Sequence, residues 1–99
     1  MAIMEISVVP LGLGQTSVGD YIAAVVQYLQ KEQVPHYLTD MGTIVEGSIE
    51  QLLQVAQALH ELPFNRGVKR VLTHLTIDDR RDKEVHLDDK IRAVKQRLV

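Results

Sequence analysis

The hydrophobic residues of this chain change their period five times in 99 residues, and that alternation restricts the fold more than any single motif. Ile3 to Val9 (IMEISVV) alternates with period two and is rich in β-branched residues, which predicts a strand ended by Pro10. Leu11 to Thr16 is a glycine-rich connection. Ser17 then reads as an N-cap, with Asp20 completing an approximate capping box. Ile22, Val25, Val26 and Leu29 recur at helical spacing, so a helix is expected over Val18 to Glu32, with Pro35 blocking its extension. His36 to Asp40 and Thr43 to Gly47 read as two short strands around Asp40-Met41-Gly42, where Gly42 would supply a positive φ. Ser48-x-x-Gln51 opens a second helix, expected to reach Leu62 before Pro63, with a stripe of Ile49, Leu52, Leu53, Ala56 and Leu59. Val68 to Asp78 alternates as a long strand. After the charged turn Asp79 to Glu84, the residues Leu87, Ile91, Val94 and Leu98 form the stripe of a final helix.

The order β-α-β-β-α-β followed by a helix is the ferredoxin-like split βαβ arrangement, an α+β class with both main helices on one face of an antiparallel sheet. All of residues 1–99 are read as one domain. In this topology the first strand lies between the third and the last. Strand periodicity then assigns Met4, Ile6, Val8, Leu38, Val45, Val71, Leu75 and Ile77 to the helix-facing side. Glu5, Ser7, Tyr37, Thr39, Glu46, His74 and Thr76 fall on the open side, together with the apolar Ile3, Val9, Ile44 and Leu72.

Composition removes several chemistries. With no cysteine there is no disulfide, thiolate nucleophile or Cys-based metal site. The four histidines lack the spacing of zinc ligands, so no metal is expected, and no cofactor is called for. There is no apolar run long enough for a transmembrane helix and no basic leader at the start, so a cytoplasmic protein away from membranes is the expectation. The formal charge of −2 splits into −6 over Met1–Asn65 and +4 over Arg66–Val99, either as differently solvated faces or as a cation-friendly first part beside a basic edge.

Two carboxylates, Glu5 and Glu46, are expected on one face of neighbouring strands, where like charges repel and partial burial worsens the repulsion. Two solvated glutamates would satisfy the pattern. A cationic ligand, a metal, or a nearby Arg70 or His74 would offset it. The mixture of acids, hydroxyls and aliphatics on that face fits a surface covered by a ligand or by another subunit. Tyr37 and Thr39 would add a ring edge and hydroxyls suited to a heteroaromatic ligand, although a tyrosine there also serves as packing.

Three stretches carry a resemblance. Met4-Glu5-Ile6-Ser7-Val8 followed by Pro10-Leu11-Gly12, the hairpin Tyr37 to Thr43 running into Val45-Glu46-Gly47, and Ile77-Asp78-Asp79-Arg80-Arg81-Asp82 together resemble the YkoF-like thiamine-binding family over essentially the whole chain. The resemblance implies a ferredoxin-like subunit, assembly into homodimers or homotetramers through the sheets, and binding of thiamine or its hydroxymethylpyrimidine part without catalysis. It leads to Glu46 as the principal ligand carboxylate, with Glu5, Ser7, Tyr37, Thr39 and Thr43 shaping the pocket. The rival reading is a structural or regulatory domain whose open face only joins subunits. A third is a small enzyme using Glu5 or Glu46 as a general base.

Other motifs lead less far. Gly12-Leu13-Gly14 lacks the spacing of a dinucleotide fingerprint, and no Gly-Lys-Ser/Thr follows. Ser17 could mark an anion site at a helix start. Asp78 to Asp82 reads as a solvated turn or an intersubunit ion-pair cluster. Nucleic acid is not an expected partner, because the strands Ile3–Val9 and Val68–Asp78 carry no stacking aromatics and the two glutamates repel phosphate.

Overall fold

The computed structural model describes residues 1–12 and 19–98. Seven elements follow in order: β1 (Ala2–Pro10), α1 (Gly19–Lys31), β2 (His36–Leu38), β3 (Thr43–Gly47), α2 (Ile49–Phe64), β4 (Val71–Asp79) and α3 (Asp89–Arg97). The four strands make one sheet in the order β2-β3-β1-β4, each pair antiparallel, so β1 is central as its alternating pattern requires. The ferredoxin-like order read from periodicity is the order observed. The expected Ser17 cap, the start of α1 at Val18 and most of the glycine-rich connection lie outside the described residues.

Register assigns the faces. Met4 opposes Val45 and Ile77, and Ile6 opposes Thr43 and Leu75, so these side chains share the helix-facing side. There Met4, Ile6 and Val45 pack with Leu29 of α1 and with Leu52, Val55, Ala56 and Leu59 of α2 as one buried cluster. The stripe of α2 is therefore rotated from the expected one: Val55 is in the core and Leu53 is 53% exposed. Leu38 and Leu75 keep the expected parity but lie on the outer strands, where the helices cover them poorly (54% and 43% exposed).

Element ends differ from expectation for identifiable reasons. α1 is stopped by Gln33, which adopts φ 56 and lets Val34 N–H donate to Leu29 O, before Pro35 is reached. Ser48 caps α2 as expected, accepting from Gln51 N–H at 3.1 Å. That helix passes through the buried Pro63 to Phe64 and is closed just beyond it, where Val68 N–H donates to Pro63 O and Gly67 N–H to Phe64 O. Those same bonds, with Gly67 at φ 88, delay β4 from Val68 to Val71. β2 is shorter than expected because Thr39 turns: its N–H donates to Gly42 O, and its hydroxyl accepts from Met41 and Gly42 N–H.

Gly42 does not adopt the positive φ expected of it; the left-handed glycines described are Gly12 and Gly67. What Gly42 supplies is close approach, since a Cβ there would stand 3.0 Å from the Ile6 carbonyl oxygen. That oxygen is held in the central strand and yields little. Gly42→Ala is therefore expected to destabilise the protein by about 1 kcal/mol through local overpacking, read as a lowered urea midpoint with an unchanged slope.

α3 begins after Asp88, which sits in the left-handed region at φ 74, and none of its residues is buried. Ile91, Val94 and Leu98 are 53%, 55% and 79% exposed, so the apolar stripe read from sequence exists but is left largely uncovered by the described residues. The chain is correspondingly long, 47 × 30 × 22 Å, with a radius of gyration of 15.0 Å. A compact domain of this length has a radius of about 13 Å.

Candidate functional site

The side of the sheet away from α1 and α2 is built by register. Ile3 opposes Glu46 on one neighbour and Asp78 on the other; Glu5 opposes Ile44 and Thr76; Tyr37 opposes Ile44 from β2. Directly opposed residues of an antiparallel pair share a face. Glu5 and Glu46 therefore lie diagonally on the same side, with Ile3 and Ile44 between them.

Glu46 is 8% exposed, and a carboxylate withdrawn that far from water requires donors. It obtains them from a segment 40 residues further on. Its Oε1 lies 2.8 Å from His86 Nδ1 and accepts the Leu87 backbone N–H at 3.0 Å. Since an ionised carboxylate only accepts, Nδ1 carries the proton there. The other ring nitrogen of His86 lies 3.3 Å from Glu84 Oε1. Neither Arg70 nor His74 provides the offset considered from sequence. His74 opposes Ser7, near the other end of β1, and Arg70 precedes β4, its carbonyl accepting from Leu11 N–H.

A second contact ties the same segment down. Tyr37 donates its hydroxyl to Asp88 Oδ2. Donation to the Asp88 carboxylate is the main reason the phenol of Tyr37 is held above its ordinary value of 10.0. Asp89 closes the local structure by accepting His86 N–H at 2.8 Å, and this bond, helped by Arg92, depresses its carboxyl. Val85 to Ile91 thus forms a strap over the open face. Beneath it lies a recess of about 320 Å³, with apolar walls from Ile3, Ile44, Val85, Leu87 and Ile91, and polar ones from Glu5, Tyr37, Thr76, Asp78, His86, Asp88 and Lys90.

The candidate residues read from sequence divide into two groups. Glu5 and Tyr37 line this recess, and Glu46 stands at its margin holding the strap. Ser7, Thr39 and Thr43 line a different hollow of about 210 Å³ between the hairpin and α1, which also receives Asp40 and Tyr21. A single pocket shared by all of them is therefore not what the fold builds. Thr43 opposes Ile6 and Leu38 and is 5% exposed on the helix-facing side, because its odd spacing from Glu46 reverses its direction. The Thr39 hydroxyl is engaged in the turn, donating to Gly42 O at 2.8 Å.

The residues missed from sequence are those of the strap. His86 carried no motif, and its partner is remote in the chain; the one available signal was that a buried Glu46 would need a donor. At the far end of β4, Arg80 pairs with Asp82 and Arg81 with Asp79, and the Arg80 guanidinium lowers the carboxyl of Asp82 to about 2. Asp79, Arg80, Arg81 and Asp82 of that turn thus satisfy one another within the subunit. Among the described residues no group of three His, Cys, Asp or Glu side chains converges to hold a metal ion, and no helix is long and apolar enough to cross a membrane.

A ferredoxin-like layer whose open face is strapped over an acid-lined recess is the architecture to be matched. Residues 4–95 match the family model described as Thiamine-binding protein, and the chain belongs to that family. It is 41% identical to UPF0045 protein YqgV of Bacillus subtilis, over 99% of this chain and 98% of the relative. Among solved structures, protein MJ1052 of Methanocaldococcus jannaschii superposes with a TM-score of 0.85 at 32% identity, covering 96% of both chains. A Thermotoga maritima protein assigned provisionally to thiamine biosynthesis or salvage has a TM-score of 0.76 over 94% of this chain and 97% of its own. At 18% identity that likeness speaks to the fold alone.

The tether between β2 and the strap has a pH signature. The raised native value of Tyr37 means that its contribution to stability is fully present below pH 10.0 and is lost as pH climbs through the native value. Asp88→Asn removes the main cause. Spectrophotometric titration of the tyrosines is expected to show one phenol moving back toward its ordinary value in that variant, and no movement would mean the tether does not form.

Proposed function

We propose that this protein is a non-catalytic binder of thiamine or its hydroxymethylpyrimidine moiety, working as a homo-oligomer in the cytoplasm. The observation that carries the reading is the strapped recess on the open face. Its aliphatic floor and roof suit a flat heteroaromatic ring, and Glu5, Asp78 and Asp88 place carboxylates around it. Thiamine offers a permanently cationic thiazolium and an aminopyrimidine edge that pairs donor and acceptor with a carboxyl group. Membership of the thiamine-binding family supports the same ligand class. In this reading Glu5 and Asp78 meet the ligand, and Tyr37 shapes the recess. Glu46, the principal ligand carboxylate expected from sequence, acts instead by positioning the strap, because both donors that reach it come from His86 and Leu87. Ser7, Thr39 and Thr43 shape the neighbouring hollow. A general-base role for Glu5 or Glu46 finds less support, because the family to which the chain belongs is described by binding and not by a reaction.

Replacing Glu5 by Gln removes charge while keeping shape, and a charge-assisted hydrogen bond contributes about 1.5–3 kcal/mol. Calorimetric titration is expected to show thiamine binding weakened by about tenfold or more in Glu5→Gln. Unchanged affinity would remove the recess from consideration as the ligand site.

The rival reading, an open face that only joins subunits, draws on one observation: the stripe Ile91, Val94 and Leu98 of α3 is largely exposed. Its polar side holds Lys90, Arg92, Lys95 and Arg97 against a single acid, Asp89, while the rest of the chain is acidic. We take a second copy of the chain to cover it, which makes oligomerisation and ligand binding parts of one function. Val94→Asp is expected to shift the protein toward monomer in light scattering after size exclusion; a wild-type monomer at all concentrations would refute the assembly.

A further inference from the structure

We infer that the strapped recess accepts its ligand as a free alcohol and rejects the phosphate ester of the same molecule. This rests on reading the recess as the ligand site. Thiamine and hydroxymethylpyrimidine each end in a primary alcohol, and phosphorylation of that alcohol adds a charge of about −1.5 to −2 at neutral pH.

The recess has little to offer such a group. Three carboxylates line it, Glu5, Asp78 and Asp88, against one ammonium, Lys90, and one imidazole, His86, among the described residues. The groups that would ordinarily hold a phosphate are already engaged by the chain's own acids. The backbone N–H of His86 donates to Asp89 at 2.8 Å, and that of Leu87 donates to Glu46 at 3.0 Å. The His86 ring lies between Glu46 and Glu84, and the Arg92 guanidinium binds Asp89 at 2.8 Å. The start of α3, where backbone dipoles favour an anion, carries the carboxylates of Asp88 and Asp89, which cap none of its N–H groups but repel a further anion there. Repulsion between like charges strengthens as water is withdrawn, so a phosphate beneath the strap is penalised more than one in solvent.

The chain's other basic cluster does not compensate. Arg80 and Arg81 lie in a separate hollow with Lys83, near the start of α2, and each guanidinium is already paired with an aspartate. The chemistry of the recess therefore selects a cation or a neutral pyrimidine over a phosphorylated one. A protein of this design acts on unphosphorylated vitamin or its fragments, upstream of any kinase step.

The test is calorimetric titration of the wild-type protein with thiamine and with thiamine monophosphate at low ionic strength, about 50 mM salt, where surface charge is least screened. The ester is expected to bind at least tenfold more weakly. The gap should narrow in Asp78→Asn, an exposed position whose substitution leaves the core untouched. Equal or tighter binding of the ester, in a protein where Glu5→Gln does weaken thiamine, overturns this inference alone. A gap that persists unchanged in Asp78→Asn and at high salt also overturns it, since the rejection would then be steric. If neither compound binds, or if thiamine binds with Glu5→Gln unaffected, the reading of the recess as the ligand site fails first and takes this inference with it.

Discussion

The organisation of this molecule follows from one buried charge. Glu46 stands in β3, where parity directs it to the open side of the sheet, and it is nearly removed from water. An uncompensated carboxylate in that position costs several kcal/mol, so it acts as a demand on the rest of the chain. The demand is met by a backbone N–H and an imidazole from the C-terminal region. Because both donors belong to consecutive residues, satisfying the charge also fixes the path of the chain. A sheet face that would otherwise be wet acquires a roof, and the space between roof and sheet becomes a recess.

The helix-facing side is governed by a different force. Met4, Ile6, Val45, Leu52 and Leu59 are packed there by burial of apolar area, which is non-directional and tolerant of exchange. The open side is directional: hydrogen bonds to Glu46 and Asp88 specify where each strap residue goes. The fold thus separates its stability from its recognition, with aliphatic packing on one side of a single layer and polar pairing on the other.

This separation explains how much could be read beforehand. Period-two and period-3.6 patterns arise from burial on one side, so strand order and the faces of Met4, Ile6 and Val45 were legible, as was the shared side of Glu5 and Glu46. What periodicity does not carry is pairing between residues remote in the chain. His86 lies forty residues from Glu46, outside any motif, and neither the strap nor the recess beneath it could be anticipated. Thr43, expected to shape one pocket with Glu46, stands three residues from it, and that spacing sends the two to opposite sides. The bounds of α2 and β4 differ from expectation for a local reason: the helix stop lies at Gly67, in the left-handed region, where Val68 N–H donates back to Pro63 O, and not at the proline itself.

The order of the strands has a mechanical corollary. β1 is bonded on both sides over Ala2–Ile6, while β4 forms one rim of the sheet and has a partner on only one. Rim strands open at lower free energy than central ones. Glu5 therefore projects from the stiffest member of the layer, and Thr76 and Asp78 from a compliant one. A guest beneath the strap meets one wall that dictates its position and another that can yield to its outline, an arrangement that tolerates variation in ring substituents while keeping the contact with Glu5 constant.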